Sequence, residues 1–417
     1  MKQSGIDWIG EIPNDWNVNK IDSLYILRNT KVSDKDYPPL SVTMQGIVSQ
    51  LATAAKSDDG DNRKLVKKGD FAINSRSDRR GSSGVSDYDG SVSLINTILT
   101  PRGEMNPIYY NWLFHTIQFE DEFYKWGHGI VDDLWTTRWQ DMKNIFIVVP
   151  PKATQKRIAE YLDSKCAQID SIIEESKKSI EEYKAWKQSV IFEAVTGKNL
   201  NCKKKDSGIE WIGEIPENYK LIRLKFLLKE KLQYGANSSG IEFSLDLPRY
   251  IRITDIKDSK TLYDENKLSL SEEDAKDYIL DDNDILFARS GATSGKCFIY
   301  KKGIGKATFA GYLIRAKIDE TKLLPNFLVL YTMTKAYEEW KNQVCIQATI
   351  QNISAEKYVN LIVPVPPLSE QESIAKMLDS KCAQIDSLIA EKESLITDLT
   401  EYKKSLIFEV VTGKRSI

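Results

Sequence analysis

The sequence repeats itself once, and this repeat limits the folds open to the chain. The segment Ser4–Pro13 returns as Ser207–Pro216 with a single aspartate-to-glutamate change, and Leu162–Ser171 returns letter for letter as Leu378–Ser387. The stretches between these blocks do not resemble each other closely. This arrangement indicates that the repeated blocks perform one structural role twice, while the stretches between them are two different versions of a variable segment.

Length and composition are those of an ordinary globular protein with two halves. The 417 residues give each half enough chain for its own core. We expect no membrane span, because no run of eighteen apolar residues occurs, and no secretory signal. The five cysteines form no CxxC pair, so reduced thiols and a cytoplasmic location are expected. A net charge of -2 argues against indiscriminate nucleic-acid binding but allows a local basic site.

Each half ends in a long predicted helix with an apolar stripe. The stripe recurs in steps of three, four or seven residues, which is typical of a coiled-coil seam. Its members are Ile158, Leu162, Ile169, Ile173, Ile180, Tyr183, Val190 and Ala194 in the first half, and Ile374, Leu378, Ile385, Ile389, Ile396, Leu399, Leu406 and Val410 in the second. Thr154 and Ser369 are the expected N-caps, and Gly197 and Gly413 the expected stops.

The blocks before these helices have a mixed α/β pattern. Strands are predicted at 70–73, 144–148, 284–288 and 297–300, and short helices are predicted to begin at Pro107 and Pro325. The polar segment 199–206, with three lysines, is predicted to be a linker at the domain boundary.

The catalytic inventory is poor. Only two histidines occur, so neither a metal cluster nor a histidine acid–base site is predicted. The segment Arg289–Cys297 resembles a phosphate-binding loop superficially. Its glycines are separated by three residues instead of four, and Cys297 stands where a magnesium-binding hydroxyl is needed. No metal ion and no cofactor of its own is predicted for this chain.

Polar loops with cations follow the same predicted strand in both halves. Arginine reads guanine bidentately, and Ser, Thr and Asn reach phosphates or base edges. Such a loop is often only a solvated turn, but its recurrence with different side chains favours DNA contact. The candidates are Arg76, Ser77, Arg79, Arg80 and Ser82 in the first half, and Arg289, Ser290, Thr293, Ser294 and Lys296 in the second.

Three further groups of polar residues are weaker DNA-binding candidates, with a structural polar loop as the alternative. Thr43 and Gln45 follow one strand, and Thr254 follows another at the comparable place. Gln351 and Asn352 precede the last strand of the second block, and amides of this kind read adenine. The repeated tryptophans, Trp8 and Trp211, are predicted to be packing anchors, because nearly the same segment serves both halves.

The chain resembles the specificity subunits of type I restriction–modification systems over nearly its whole length. The resemblance rests on the twofold order, on Trp-Ile-Gly-Glu-Ile-Pro at 8–13 and 211–216, on Asp284–Gly291, and on Pro366–Ala375 leading into the helix. The first half departs from this pattern at 152–157, which has no glutamate before its glutamine.

The resemblance implies an α+β architecture with an internal pseudo-twofold repeat. Two α/β target recognition domains, 1–150 and 207–365, would be separated by two long antiparallel coiled-coil helices. The helices would lie in 151–198 and 366–417, with 199–206 as the linker. Ile158, Leu162, Ile169, Ile173, Ile374, Leu378, Ile385 and Ile389 would pack between the helices or against a partner.

The implied function is non-catalytic recognition of a split, asymmetric double-stranded DNA site. Two modification subunits would bind S-adenosylmethionine and methylate adenine N6. Restriction–translocase subunits would use ATP and magnesium. A coiled-coil scaffold that binds proteins, and a stand-alone DNA-binding regulator, are the alternatives; low charge and the lack of a helix-turn-helix pattern disfavour the regulator.

Overall fold

The chain forms two compact units in a computed structural model that describes residues 1–52, 60–129, 135–291, 293–345 and 352–417. Unit 1 comprises Met1–Lys177 and Glu393–Ile417, and unit 2 comprises Lys178–Lys392. The division between these units falls inside the long helices. The predicted domain bounds, with a linker at 199–206, stay a prediction. Among the described residues, no helix is long and apolar enough to cross a membrane.

Unit 1 is an α/β unit built from short strands. Its described strands are β1 (Lys2–Gln3), β2 (Glu11–Ile12), β3 (Asn17–Lys20), β4 (Tyr25–Leu27), β5 (Lys31–Val32), β6 (Leu40–Thr43), β7 (Gly46–Ser49), β8 (Arg63–Val66), β9 (Phe71–Asn74), β10 (Ser83–Val85), β11 (Gly90–Val92), β12 (Asn96–Pro101) and β13 (Phe146–Val149). Its short helices are α1 (Pro107–Phe114), α2 (Ile117–Lys125) and α3 (Trp139–Met142). The largest sheet has the order β10-β9-β12-β4 and is antiparallel.

Aromatic side chains fill the main core of unit 1. Tyr25 and Phe71 from the sheet contact Phe114 at the end of α1, with ring centroids 6.0 and 5.0 Å from it. Proline is at the first position of α1, and the Asn106 side chain caps the helix by accepting from two backbone N–H groups. Trp8 packs against this core, as predicted for an anchor.

Unit 2 repeats this plan with different details. Its described strands are β14 (Lys204–Asp206), β15 (Glu214–Pro216), β16 (Lys220–Arg223), β17 (Gln233–Tyr234), β18 (Ile241–Glu242), β19 (Arg249–Ile251), β20 (Leu268–Ser269), β21 (Ile285–Ala288), β22 (Cys297–Ile299), β23 (Ala307–Phe309), β24 (Leu313–Ala316) and β25 (Ile362–Val365). Its short helices are α5 (Glu272–Ala275), α6 (Pro325–Thr332), α7 (Lys335–Cys345) and α8 (Ala355–Tyr358).

One sheet of unit 2 corresponds to the largest sheet of unit 1. Its order is β17-β24-β21-β22, so β21 lies between β24 and β22 as β9 lies between β12 and β10. A second sheet, β18-β20-β19-β23, contains the parallel pair β19 and β23. The predicted linker is only partly irregular, because β14 pairs with β15 and the Lys205 side chain donates to the Glu217 carbonyl. Trp211 packs against the main core of unit 2.

The two long helices are α4 (Lys152–Thr196) and α9 (Leu368–Val411). Within unit 1, the Lys403 ammonium lies 2.7 Å from the Asp170 carboxylate, and within unit 2 Lys187 lies 2.6 Å from Asp386. From the first ion pair to the second, the residue number rises from 170 to 187 in α4 and falls from 403 to 386 in α9. The two helices are therefore antiparallel, as the resemblance implied. The pairs are counterparts in the repeat, because Asp170 and Lys187 match Asp386 and Lys403 in sequence position.

The predicted apolar stripes are the inner faces of these helices. Ile158, Leu162 and Ile169 are buried in the core of unit 1, beside Leu406 and Val410. In unit 2, Leu378 and Ile385 are buried, whereas Ile374 and Ile389 are partly buried. Ile173 is partly buried in unit 1.

The starts of both long helices differ from the prediction, whereas their ends agree with it. The helices begin at Lys152 and Leu368, so Thr154 and Ser369 lie inside the first turn and are not N-caps. A buried glutamine side chain in each helix instead bonds the backbone just before the helix start. Gln155 Nε2 donates to the Pro150 carbonyl, and Gln371 Nε2 donates to the Pro366 carbonyl. Beyond the helix ends, Gly197 and Gly413 both have φ of +73°, which favours glycine, as expected for helix stops.

Candidate nucleic-acid interface

The first-half loop, residues 75–82, joins β9 to β10. The Asn74 N–H donates to the Ser82 carbonyl at 2.8 Å and closes the loop at its base. The Thr137 N–H donates to the Ser75 carbonyl at 2.9 Å, so a second segment of unit 1 supports the loop from the side. Near its end, Gly81 has φ of +76°, a conformation that glycine adopts readily. The loop is therefore held at both ends by backbone hydrogen bonds.

The second-half loop, residues 289–296, is framed by the same bonds. The Ala288 N–H donates to the Lys296 carbonyl, and the Ile353 N–H donates to the Arg289 carbonyl, both at 2.8 Å. Gly295 has φ of +87°, and its counterpart in the first half, Gly81, also has a positive φ. The two loops thus occupy corresponding places on corresponding strands, as the sequence predicted, while their side chains differ.

The three arginines of the first loop have carboxylate neighbours. Arg76 Nε lies 2.9 Å from Asp78, and Arg79 Nε lies 3.9 Å from the same residue while its side chain is 69% exposed. Arg80 binds Glu120 at 3.1 Å and also contacts Asp121. The hydrogen bond to Asp121 and that to Glu120 raise the pKa of Arg80 against the opposing effect of its partial burial. A phosphate or base edge would have to compete with these carboxylates.

The turn between β6 and β7 lies beside this loop. The Thr43 hydroxyl donates to the Gly46 carbonyl at 2.9 Å and accepts from the Gln45 N–H at 3.1 Å. Gln45 is exposed. A Cβ on Gly84 of β10 would lie 2.8 Å from the Gly46 Cα, so the turn packs closely against the strand that leaves the loop. The structure therefore brings these first-half candidates together.

Two predicted contact residues are buried instead. Ser82 is 7% exposed and Ser294 is 3% exposed, and the Ser294 hydroxyl donates to the Arg289 carbonyl at 3.4 Å. Both serine side chains are therefore removed from the candidate interface. A run of serines does not reveal from sequence which hydroxyl turns inward.

The remaining candidates lie at or near the loop surfaces. Lys296 and Thr254 are exposed, whereas Ser77, Ser290 and Thr293 are partly buried. Ser77 also accepts from the Trp135 N–H at 3.1 Å. Thr254 lies in a short 3-10 turn, Ile253–Asp255, directly after β19.

Ser290 forms an isolated antiparallel bridge with Asn352, and Arg76 forms the corresponding bridge with Thr136. The structure thus brings Asn352 beside the second loop. Its side-chain oxygen is buried without a hydrogen-bond partner among the described residues. Gln351 lies outside the described residues.

Sequence reasoning missed an aromatic neighbour of the second loop. The Arg289 guanidinium lies over the ring of Tyr234, with its Cζ atom 4.9 Å from the ring centroid. Tyr234 is 39% exposed and comes from β17, 55 positions earlier in the chain by its number. The only signal in the sequence was that Tyr234 lies in a polar segment, Gln233–Gly240, which is typical of the protein surface. Among the described residues, no group of three His, Cys, Asp or Glu side chains is placed to hold a metal ion.

Comparisons with known proteins agree with this arrangement. A family model for the type I restriction modification DNA specificity domain matches residues 204–397. The chain is 25% identical to a putative type I restriction enzyme MjaX specificity subunit of Methanocaldococcus jannaschii, covering 97% of this chain and 95% of that protein. It is 24% identical to the StySPI specificity subunit of Salmonella potsdam, where the match covers 65% of this chain and only 58% of the relative.

Solved structures share the fold at low sequence identity. A chain from a structure of type I R-M complex assembly and conformational transition superposes with a TM-score of 0.76 at 14% identity, covering 97% of this chain and 100% of that chain. The HsdS subunit from Thermoanaerobacter tengcongensis gives a TM-score of 0.57 at 16% identity, covering 97% of this chain and 98% of that chain. The architecture of two α/β blocks with long coiled-coil helices is thereby confirmed.

Proposed function

Because the chain is similar to specificity subunits of type I restriction enzymes, we propose that it is such a subunit and reads a split, asymmetric DNA sequence. Each α/β block would read one half-site. The block up to residue 150 and the block at 207–365 are the proposed recognition domains, with α4 between them in the chain and α9 after the second block. The proposal includes a non-catalytic role for this chain, since its relatives are named as specificity subunits of restriction enzymes.

One observation carries this proposal. Two loops of equal length follow corresponding strands and are closed by the same backbone hydrogen bonds, but their side chains differ. A shared frame gives both loops the same placement, and different side chains give different base preferences. Two loops with different side chains would therefore recognise two half-sites of different sequence.

Contacts with DNA would divide into two kinds. Exposed cations such as Arg79 suit phosphate oxygens, which fix the position of a protein without reading sequence. Arg289 suits the O6 and N7 atoms of guanine, a contact that discriminates against other bases by ~1–3 kcal/mol. Thr43, Gln45, Thr254 and Asn352 would add polar contacts at the rims of the two loops.

The partners would supply the chemistry. Two modification subunits, one for each copy of the repeated segments, would bind S-adenosylmethionine and methylate adenine N6. Restriction–translocase subunits would use ATP and magnesium. The paired long helices would act as a ruler that fixes the nonspecific spacer between half-sites.

The test is an exchange of one recognition block. The chain is expressed with the modification subunits of its own system, and the methylated motif is read by sequencing that detects modified bases. Replacing residues 14–149 by the corresponding block of another specificity subunit should change one half of the motif. The reciprocal exchange within 217–365 is the matched control and should change the other half. If either exchange alters both halves together, the proposal is wrong.

A further inference from the structure

We propose that Tyr234 is a positioning residue that holds Arg289 to read a guanine in the second half-site, and that the first block has no such reader. This inference rests on the proposed function and names the base that one loop recognises. Its basis is the stacking of Arg289 on Tyr234, together with the hydrogen bonds that hold both residues in place.

The arginine is fixed at its base and leaves two donors for a ligand. Its N–H donates to the Tyr312 carbonyl at 3.0 Å, and its carbonyl accepts from the Ile353 N–H at 2.8 Å. Its Nε is buried and has no hydrogen-bond partner among the described residues. The two terminal nitrogens therefore remain to donate. A pair of parallel donors matches the two acceptors, O6 and N7, that guanine presents in the major groove.

The aromatic platform is fixed as firmly as the arginine. The Tyr234 hydroxyl accepts from the Ala355 N–H at 3.0 Å, at the start of α8. The next residue, Gly235, has no room for a side chain, because a Cβ there would lie 2.3 Å from the Phe309 carbonyl oxygen. This close approach ties the Tyr234 segment to β23. An arginine stacked on such a ring loses less conformational freedom when it binds a base.

Charge distinguishes Arg289 from the arginines of the first loop. Arg76 and Arg80 form ion pairs with carboxylates, whereas among the described residues no carboxylate lies within 4 Å of Arg289. Its stacking partner is an uncharged ring, so the cation is not neutralised before DNA binds. An arginine in this state can pair with guanine without first breaking an ion pair.

The first block places a different residue at this point. Ser75 occupies the position of Arg289, since its carbonyl accepts from the Thr137 N–H as that of Arg289 accepts from Ile353. Ser75 is 4% exposed, and its hydroxyl forms a 2.9 Å hydrogen bond with that of Thr97. Nothing at this position can reach a base. Among the described residues of the first block, the position that corresponds to Arg289 therefore offers no guanine reader.

The experiment uses the complex of this chain with its modification subunits and a duplex that carries its own methylated motif. Each guanine of the second half-site is replaced in turn by 7-deazaguanine, which lacks the N7 acceptor. At one position the replacement should slow methylation about 10-fold for the natural chain. In the Arg289→Ala variant the same replacement should have no further effect.

Substitutions at Tyr234 separate positioning from general stability. Tyr234→Ala should reduce the preference for guanine over adenine at that position by roughly 2- to 30-fold, the factor that corresponds to ~0.5–2 kcal/mol for a cation–π contact. Tyr234→Phe keeps the ring but loses the bond from the Ala355 N–H, so it should keep most of the preference. Tyr263→Ala removes another tyrosine side chain from the same unit, one that is 48% exposed, and should change nothing. Arg289→Lys keeps the charge without the fork and should lose the preference even if Tyr234→Ala fails to fold.

The outcomes separate this inference from the proposed function. If the natural complex methylates no two-part motif, the proposed function fails. If it does, but the second half-site contains no guanine, the inference fails alone. It also fails if Tyr234→Ala and Arg289→Lys retain the preference, or if the 7-deazaguanine effect persists in Arg289→Ala.

Discussion

Replacing Gln371 by leucine should loosen the start of α9 from the rest of unit 2. The Gln371 side chain is fully buried. Its Nε2 donates to the carbonyls of Pro366 and Lys322 at 2.8 and 3.0 Å, and its Oε1 accepts from the Leu324 N–H at 2.8 Å. Leucine has similar bulk but can make none of these bonds, so three backbone groups lose a partner, and that of Pro366 is buried.

The expected loss follows from the number of bonds. At ~1 kcal/mol for each hydrogen bond, Gln371→Leu should lower the free energy of unfolding by about 3 kcal/mol. The buried Pro366 carbonyl, left without this partner, should raise the loss toward about 5 kcal/mol. The counterpart Gln155 makes two such bonds, from the Asn106 N–H and to the Pro150 carbonyl. Gln155→Leu should therefore cost less, and the loss should appear in unit 1.

Urea unfolding and hydrogen exchange, read peptide by peptide, together measure the effect. The amide of Leu324 should exchange much faster in Gln371→Leu, while peptides of the unit 1 core keep their protection. Gln384→Leu on the same helix is the matched control, because Gln384 is exposed and should change stability by less than ~0.5 kcal/mol. Equal effects of Gln384→Leu and Gln371→Leu would refute the reasoning, as would unchanged exchange at Leu324.

Three further predictions concern the helices, one loop and one buried acid. Inserting seven residues after Lys178 and seven after Ser394 keeps the seam in register and lengthens the helix pair by about 10 Å. The methylated motif should therefore gain about three base pairs of spacer. An active variant that methylates only the original spacing would show that the helices do not set the spacer. Arg79→Ala should weaken binding to all DNA sequences alike and reduce the slope of log affinity against log salt by about 1, which a titration at several salt concentrations measures. Burial raises the pKa of Asp284 to about 6, so protonation favours the folded state. The natural chain should therefore gain stability relative to Asp284→Asn as pH falls from 7 to 4, and urea unfolding across that range would refute this if the difference stayed constant.

Local patterns predicted the regular elements well. The helix predicted from Pro107 is α1, the one from Pro325 is α6, and the strand predicted at 284–288 is β21. The seams of the long helices were also predictable, because a repeat of seven residues depends only on neighbours along the chain. The twofold repeat located the two loops at corresponding places.

What the sequence did not predict depends on contacts between distant positions. The first turn of α9 is secured by Gln371 through a carbonyl and an N–H about 50 residues earlier, so a cap predicted at Ser369 was wrong. Ser82 and Ser294 are buried, and the Ser294 hydroxyl donates within its own loop to the Arg289 carbonyl. The platform under Arg289 comes from Tyr234 in another strand, and no spacing in the sequence joins the two. Side-chain direction in loops is set by the fold as a whole.

The interleaved units have a consequence for synthesis on the ribosome. Unit 1 needs Glu393–Ile417, which carries Leu406 and Val410 into its core, and these residues are made after all 215 residues of unit 2. At ~5–20 residues per second, the nascent first half waits roughly 10–40 s with that apolar face uncovered. Unit 2 is continuous in sequence and can close as soon as it emerges. We therefore expect the half that is translated first to finish folding last.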